Sequence, residues 1–227
     1  MTEIPQIIVA INYVNYSNYL RKRWQEAALR TLANNAPSNV KIVCLNYSDE
    51  EVDVPDSFLV LKQLKRDSQK EIGNSRRLPY IKEIFDACSL MSCDVFGYLN
   101  SDILVHRKFF DVFKTKKIDA YLFNRVDINE VPIQNFNGYD FKVIWNGHPG
   151  FDGVFFRTKW WLKNRNKFHD DLILGEAEWD YYYNKKIQES TDRIYKKRWL
   201  YHVFHETTWT LDSRGAKNNR KINGSIS

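Results

Sequence analysis

The chain contains 227 residues, of which 43% are hydrophobic and 27% are charged, a composition typical of one globular domain with a sizeable core. Because no run approaches the ~18 consecutive apolar residues that a bilayer span requires, we expect no membrane-spanning segment. The formal net charge of +6 suits an anionic partner such as a nucleotide, a nucleic acid or a membrane surface.

Much of the positive charge lies near the C-terminus, in residues 196–198 and 214–221. A charge run near a terminus is usually a solvated tail. We therefore divide the chain into a folded domain of residues 1–210 and a basic C-terminal tail of residues 211–227. Such a tail is suited to peripheral contact with an anionic membrane surface.

The three cysteines, Cys44, Cys88 and Cys93, form an odd set without the spacing of a zinc site. Cys44 lies in an apolar run and Cys88 on an apolar helix face, so both are predicted to be buried thiols. A chain without a disulfide framework favours a reducing compartment, and the N-terminus lacks the pattern of a signal peptide. We therefore expect a cytoplasmic protein, with the inner face of a membrane as an alternative location.

The first half of the chain alternates strands with helices. Apolar, β-branched runs predict strands at residues 6–11, 40–45 and 58–61. Helical spacing of apolar residues predicts helices around residues 20–32 and 81–91. A strand–helix–strand opening predicts a parallel sheet with crossover helices.

The second half is less regular and is predicted to add strands, short helices and one long loop. The predicted strands are 95–99, 120–123 and 154–156, the helical segments are 109–113, 160–168 and 176–188, and the loop is 135–150. We therefore predict one α/β domain.

Polar residues follow two of the predicted strands directly, as Asn12, Asn100 and Asp102. In open α/β sheets, ligands bind at the carboxyl ends of the strands, and an acid placed there can hold a divalent metal that bridges two phosphates. The alternative is a turn carboxylate that caps the next helix, because Asn, Ser and Asp are ordinary turn residues. The triplet alone leaves both interpretations open.

Basic residues precede and begin the helix before this triplet. Arg76 and Arg77 lie in a segment that starts at Asn74, and Lys82 follows about one turn into the helix. Arginine side chains and free helix N–H groups make an anion site, although a solvent-facing basic turn is the alternative. Basic residues at a helix N-terminus oppose the helix dipole, and this local cost favours a functional role.

With these residues in place, residues 74–103 resemble the donor-site half of a glycosyltransferase with the GT-A fold, in which a basic helix precedes a strand that ends in an Asp-x-Asp motif. Residues 97–103 are similar to a "YINSDI" variant of that motif. Three later segments match the same branch in order: residues 148–156, 174–180 and 202–205. The ordered set spans about residues 6 to 209.

The resemblance implies a GT-A-like mixed sheet flanked by helices in a single catalytic domain of residues 1–210. It also implies an enzyme that transfers a sugar from a nucleotide-diphosphate sugar, a UDP-sugar by analogy, to a hydroxyl of a glycan or lipid-linked acceptor. Polysaccharide biosynthesis is the setting that this analogy suggests. We expect no nucleic-acid partner, because no nucleic-acid-binding motif is present and the charge is concentrated in the tail.

The resemblance also implies a divalent metal, Mn²⁺ or Mg²⁺, bound by Asp102 and a C-terminal histidine. We choose His205 and keep His202 in reserve, since two histidines at this spacing on a strand face opposite sides. The departure from the family is Asn100, which replaces the first acid with a weaker ligand. A GT-A-like protein that binds a nucleotide or glycan without turnover is therefore the alternative function.

Four carboxylates are candidates for removing the proton of the acceptor hydroxyl: Asp152, Glu176, Glu178 and Asp180. We choose Asp152, Glu178 and Asp180 among them. By the resemblance, Asp152 touches the donor sugar or the acceptor, whereas helix capping is the alternative for Glu178 and Asp180. Asp49 or Asp67 is a candidate for the base or ribose. The predicted substrate-binding residues are Asn12 and Tyr13 at the base and then Asn74, Arg77, Lys82, Asn100, Ser101, His148 and Trp179. Core packing is the alternative for Trp179.

Overall fold

The computed structural model describes residues 4–106, 108–115, 117–129, 150–204 and 210–224, together with the backbone of 143–145. The strands are β1 (Ile7–Ile11), β2 (Val40–Tyr47), β3 (Leu59–Leu64), β4 (Val95–Leu99), β5 (Ile103–Val105), β6 (Ala120–Ile128), β7 (Val143–Trp145), β8 (Gly153–Arg157) and β9 (Ile194–Val203). The helices are α1 (Tyr19–Asn35), α2 (Ser68–Ile72), α3 (Ile81–Ser89), α4 (Thr158–Asn164), α5 (Trp179–Ser190) and α6 (Arg214–Gly224), with 3₁₀ turns at Phe109–Lys114 and Arg165–Lys167.

The described strands form one mixed sheet in the order β3-β2-β1-β4-β8-β6-β9-β5, and β7 pairs with β6. Strands β3, β2, β1 and β4 are parallel to one another, as the strand–helix–strand pattern predicts. Strand β8 is antiparallel to both β4 and β6, while β9 is parallel to β6. The predicted α/β domain with a mixed sheet flanked by helices is therefore confirmed.

Apolar layers cover both faces of the sheet, which is why the central strands are continuous hydrophobic runs. Alternate residues of β1 enter different layers, with Ile8 in one and Val9 in the other. The first layer contains Phe85 of α3, whose ring packs edge-on against Phe156 at 5.1 Å. The second layer contains Leu29 of α1. The functional residues are therefore attached to a rigid, densely packed support.

Gly97 allows β8 to lie close against β4. A Cβ atom at this position would stand 2.3 Å from the Phe155 ring and 2.4 Å from the carbonyl oxygen of Val154. Because a backbone oxygen cannot move aside as a side chain does, this strand requires glycine. The close fit fixes the end of β4, where the polar triplet begins.

Two strands that bear on the site were not predicted, β5 and β9, and the basic residues 196–198 lie inside β9. Strand β9 escapes detection because its first part is polar and partly exposed. Its backbone is nevertheless hydrogen-bonded to β6. Strand β6 also extends well beyond the predicted 120–123 and reaches Ile128. Of the predicted loop, residues 135–142 and 146–149 lie outside the described residues.

The basic run of residues 214–221 forms most of α6 and is docked on the domain rather than solvated as a tail. Ala216, Asn219 and Ile222 are buried. The Asn219 side chain accepts a hydrogen bond from Ile173 N at 2.9 Å and donates to the carbonyl oxygens of Ile173 and Ala177, both at 3.0 Å. The lysines and arginines thus occupy the outer face of an amphipathic helix. None of the described helices is long and apolar enough to cross a bilayer.

The substitution Asn219→Ala should lower the free energy of unfolding by roughly 2–4 kcal/mol, because it leaves buried backbone groups without partners. Urea unfolding at neutral pH measures this loss. The control Lys217→Ala, at an exposed position of the same helix, should change it by less than about 0.5 kcal/mol. Equal values for the two variants would mean that α6 contributes little to the fold.

Candidate active site

A cleft of about 1790 Å³ lies at the carboxyl ends of the parallel strands. The turn after β1 contributes Asn12 and Tyr13, and the turn after β4 contributes residues 100–102. Residues from the end of β6, the start of β8 and the end of β9 complete it. The structure therefore brings the two predicted strand-end groups into one site, at the strand ends where open α/β sheets bind ligands.

Asp102 faces a histidine that is held from behind by a second aspartate. The His202 Nε2 atom lies 3.6 Å from Asp102 Oδ2, and its Nδ1 atom lies 2.8 Å from Asp127 Oδ1. Burial alone lowers the pKa of His202, but the hydrogen bonds to Asp102 and Asp127 outweigh it and raise the pKa to about 9. A carboxylate on one ring nitrogen fixes the orientation of the imidazole and leaves the other nitrogen directed at Asp102.

The sheet register explains why Asp102, His202 and Asp127 lie close together. In β9, His202 stands opposite Asp127 of β6 on one side and opposite Ile103 of β5 on the other. Asp102 directly precedes Ile103, so the same pairing brings it to the ring. His205, our first choice as metal ligand, lies outside the described residues. His148 also lies outside them.

A second aspartate pair is bridged by an arginine that the sequence analysis missed. Arg125 Nη1 lies 3.1 Å from Asp152 Oδ1, and Arg125 Nε lies 3.0 Å from Asp127 Oδ1. Asp152 Oδ1 also accepts a hydrogen bond from Asn100 Nδ2 at 2.7 Å. Both carboxylates are buried, and one positive charge compensates them. The sequence signal for Arg125 and Asp127 was the presence of two charged residues, two positions apart, in an apolar strand.

Asp180 stands at the first turn of α5, beside the segment that carries Asp152. Its Oδ2 atom accepts a hydrogen bond from the backbone N–H of Phe151 at 2.8 Å. Burial raises the pKa of Asp180, and the negative charge of Asp152 adds to this rise, although the Phe151 N–H opposes it. A carboxyl whose pKa lies above its ordinary range is suited to accepting a proton.

Glu178 and Trp179 occupy the turn that leads into α5. Glu178 has φ 71° and ψ 3°, a left-handed conformation that costs a residue with a Cβ of the order of 1 kcal/mol. Its Oε2 atom accepts a hydrogen bond from Asn223 Nδ2 at 3.2 Å. Trp179 is buried against Tyr98, with ring centroids 6.2 Å apart, and also borders the cleft. Core packing therefore accounts for much of the Trp179 side chain.

Two predicted substrate contacts are not brought to the cleft. Lys82 forms an ion pair with Asp170. Asn74 is buried and donates to the Arg76 carbonyl oxygen and to Glu176 Oε1, both at 3.1 Å. Neither Lys82 nor Asn74 lines the cleft. Their polar groups instead hold together the loops around it.

Arg77 lines the cleft, but its guanidinium is already paired. It donates to both carboxylate oxygens of Asp49, at 2.8 and 2.9 Å, and to Asp67 Oδ2 at 2.8 Å. The group also lies 4.0 Å from the centre of the Tyr47 ring. The helix after it begins at Ile81, so Arg77 is not in its first turn. The two acids considered for the base or ribose therefore both bind this arginine, and Asp49 also borders the cleft.

The turn after β1 is fixed from β2. Asn12 Nδ2 donates to the Leu45 carbonyl oxygen at 2.7 Å. The Asn46 side chain accepts from Tyr13 N at 3.1 Å and donates to the Tyr13 carbonyl oxygen at 2.9 Å. Ser101 Oγ lies 2.8 Å from the Gln25 side-chain amide. Asn46 was not predicted, and its position directly after an apolar strand run was the available signal.

The substitution Asp180→Asn should stabilise the fold at neutral pH. Because the pKa of this carboxyl is raised, its ionisation weakens folding as the pH rises from the ordinary aspartate pKa, about 4, through the raised value. Asparagine keeps an acceptor for Phe151 N–H and does not ionise. Thermal unfolding should therefore give a higher midpoint for the variant at pH 7 and equal midpoints below pH 4, while exposed Asp56→Asn shows no such gap. A lower midpoint at pH 7 would contradict this assignment of burial and charge.

Comparisons with known proteins agree with this architecture at the level of fold. No family model and no curated protein matches the chain. Among solved structures, S. aureus TarS matches 87% of this chain and 60% of its own, with TM-score 0.51 and 16% identity. Mannosyltransferase PcManGT from Pyrobaculum calidifontis, solved in complex with GDP-Man and Mn²⁺, matches 96% of this chain and 61% of its own, with TM-score 0.51 and 12% identity. This chain thus spans about three fifths of each of these chains. At such identities the likeness is one of fold, and the chain shares the mixed α/β architecture of TarS and PcManGT.

Proposed function

We propose that this chain is a glycosyltransferase that moves a sugar from a nucleotide-diphosphate donor to a hydroxyl of a glycan or lipid-linked acceptor. The observation that carries the proposal is the contact of Asp102 with His202, oriented by Asp127, at the strand-end cleft. The glycosyltransferase fold supports the reaction class. The cleft volume exceeds the ~300–1,000 Å³ of a typical small-molecule pocket, which leaves room for a donor and an acceptor together.

The residues at Asp102 fit a divalent cation such as Mn²⁺ or Mg²⁺. A carboxylate and a neutral imidazole are both ligands that Mn²⁺ accepts, and the two groups lie 3.6 Å apart. A bound ion would displace the Nε2 proton that His202 directs at Asp102. Among the described residues, no group of three or more His, Cys, Asp or Glu side chains is positioned to hold a metal ion. Two protein ligands suffice where diphosphate oxygens and water complete the coordination. When bound, such an ion neutralises charge that develops on the diphosphate leaving group.

Among the three candidate carboxylates, we assign proton removal to Asp180. Asp152 is engaged by Asn100 and Arg125, and Glu178 is engaged by Asn223. Asp180 borders the cleft and has a raised pKa, which brings it nearer to neutral pH. As the acceptor oxygen bonds to the sugar's anomeric carbon, the carbon–oxygen bond to the diphosphate breaks and Asp180 takes the hydroxyl proton. When the acceptor oxygen attacks from the face opposite the diphosphate, this single displacement inverts the anomeric centre.

Two nucleotide bases, uracil and guanine, are the candidates for the donor. A UDP-sugar follows from the resemblance in sequence, whereas the structurally similar PcManGT was solved with GDP-Man. The decisive experiment is a thermal-shift screen of UDP- and GDP-sugars with and without Mn²⁺, followed by transfer assays with the donors that bind. A donor that binds but is neither hydrolysed nor transferred to any acceptor would favour the non-catalytic alternative. Binding of no donor would refute the transferase and the nucleotide-binding form of the alternative, and would leave only a glycan-binding protein.

The metal assignment predicts different effects for two histidines three residues apart. His202→Ala and Asp102→Asn should each weaken Mn²⁺ binding at least 10-fold, and Asp127→Asn should weaken it 10- to 100-fold because the imidazole loses its support. Electron paramagnetic resonance titration of free Mn²⁺, with a nucleoside diphosphate present to supply the phosphate oxygens, measures these affinities without any sugar transfer. His205→Ala is the matched control and should bind Mn²⁺ as the wild type does. The reverse pattern, with His205→Ala deficient and His202→Ala normal, would return the assignment to His205.

The base assignment predicts that Asp180→Asn lowers kcat about 10²- to 10⁴-fold, as expected when a general base is removed. The dissociation constant of the donor should change less than threefold, because the proton is taken from the acceptor. Steady-state kinetics and donor titration of the same variant give the two values. A kcat within fivefold of wild type would transfer the role to Asp152 or Glu178.

A further inference from the structure

Asn100 occupies the position where an Asp-x-Asp motif has its first acid, and its hydrogen bonds are directed at Asp152. Asn100 Nδ2 donates to Asp152 Oδ1 at 2.7 Å, and Asn100 N donates to the Asp152 carbonyl oxygen at 2.9 Å. Side chain and backbone therefore both bind the same residue, 52 positions away in the chain. This double contact joins the turn after β4 to the start of β8.

The segment that contains Asp152 also leads directly to Asp180. Phe151 N donates to Asp180 Oδ2 at 2.8 Å, and Asp152 N donates to the Phe123 carbonyl oxygen at 3.0 Å. Asn124 Nδ2 fixes the preceding Gly150 carbonyl oxygen at 2.7 Å. Residues 150–152 are therefore held on one side by the turn that bears Asp102 and on the other by the carboxylate of Asp180.

An aspartate at position 100 would be chemically wrong for this contact. At neutral pH a carboxylate has no N–H to donate, so Asp152 Oδ1 would lose its shorter hydrogen bond and meet a like charge at about the same distance. Asp152 is only 3% exposed, so water would screen this repulsion poorly. The guanidinium of Arg125, which contacts both Asp127 and Asp152, would then have a third carboxylate beside it.

We propose that Asn100 is a positioning residue that sets the separation of the metal-side turn and the base Asp180 by way of Asp152. This inference rests on the proposed function for the role of Asp180, whereas the contact between Asn100 and Asp152 is independent of it. Asparagine at this position is thus a requirement of the Asp152 contact, and restoring the two-acid motif would impair the site rather than improve its metal binding. Asn100 also borders the cleft, and in this positioning role it acts through Asp152.

The test compares Asn100→Asp and Asn100→Ala with the control Asn39→Asp. Asn39 Nδ2 also donates a 2.7 Å hydrogen bond, to the Pro5 carbonyl oxygen, and lies outside the cleft. All three variants should unfold at lower temperature than wild type. Only the two Asn100 variants should lose kcat, by at least 10-fold and more in Asn100→Asp, while donor KM changes less than threefold. Mn²⁺ affinity, measured by electron paramagnetic resonance, should not increase in Asn100→Asp.

Two results would overturn the inference. The first is tighter Mn²⁺ binding by Asn100→Asp with undiminished kcat, which would make position 100 a ligand site. The second is a kcat loss no greater than that of Asn39→Asp, which would make the contact merely structural. If the wild type transfers no sugar, the proposed function fails. The inference is then judged by the Mn²⁺ affinity of Asn100→Asp. It is also judged by a double-mutant cycle of Asn100→Ala and Asp152→Ala in the free energy of unfolding, in which a coupling energy of zero rejects it.

Discussion

Arg125 places one positive charge between two carboxylates that the sheet buries, those of Asp127 and Asp152. Two buried carboxylates this close together would otherwise be protonated or forced apart, because desolvation and mutual repulsion both disfavour their charged forms. The compensated pair serves two branches of the site. Asp127 orients His202 toward Asp102, while Asp152 receives Asn100 and leads through Phe151 to Asp180. The positions of His202 and of Asp180 therefore both depend on this guanidinium.

The second constraint is the register of β9 with its two neighbours, β6 and β5. Parallel pairing of β9 with β6 sets His202 against Asp127, and antiparallel pairing of β9 with β5 sets it beside the triplet that holds Asp102. A slip of one residue would turn the imidazole to the other face, because side chains alternate along a strand. The polar, exposed first part of β9 is tolerated because the register is fixed by the apolar residues that follow, Leu200 among them.

The sequence reveals those parts of the molecule whose residues are dictated by local pattern. Buried apolar runs identify the parallel strands, and polar residues at their ends identify Asp102, while the resemblance adds Asp152 and Asp180. Strand β9 and the pair formed by Arg125 and Asp127 escape this reasoning, since a charge inside a strand becomes acceptable only through a partner distant in the chain. Helix α6 was mistaken for a tail for a related reason: its buried face is narrow and includes an asparagine whose partners are backbone groups.

The loop before α5 combines two unfavourable features, and α6 offsets them. Glu178 adopts a left-handed backbone, and the Asp180 carboxyl is held where burial disfavours its charge. Helix α6 contacts this loop directly, since Asn219 Nδ2 donates to the Ala177 carbonyl oxygen at 3.0 Å and Asn223 Nδ2 donates to the Glu178 carbonyl oxygen at 3.1 Å. Hydrogen bonds from two turns of one helix thus keep the loop from relaxing. The basic C-terminal segment therefore belongs to the architecture of the site, because the position of Asp180 depends on the helix it forms.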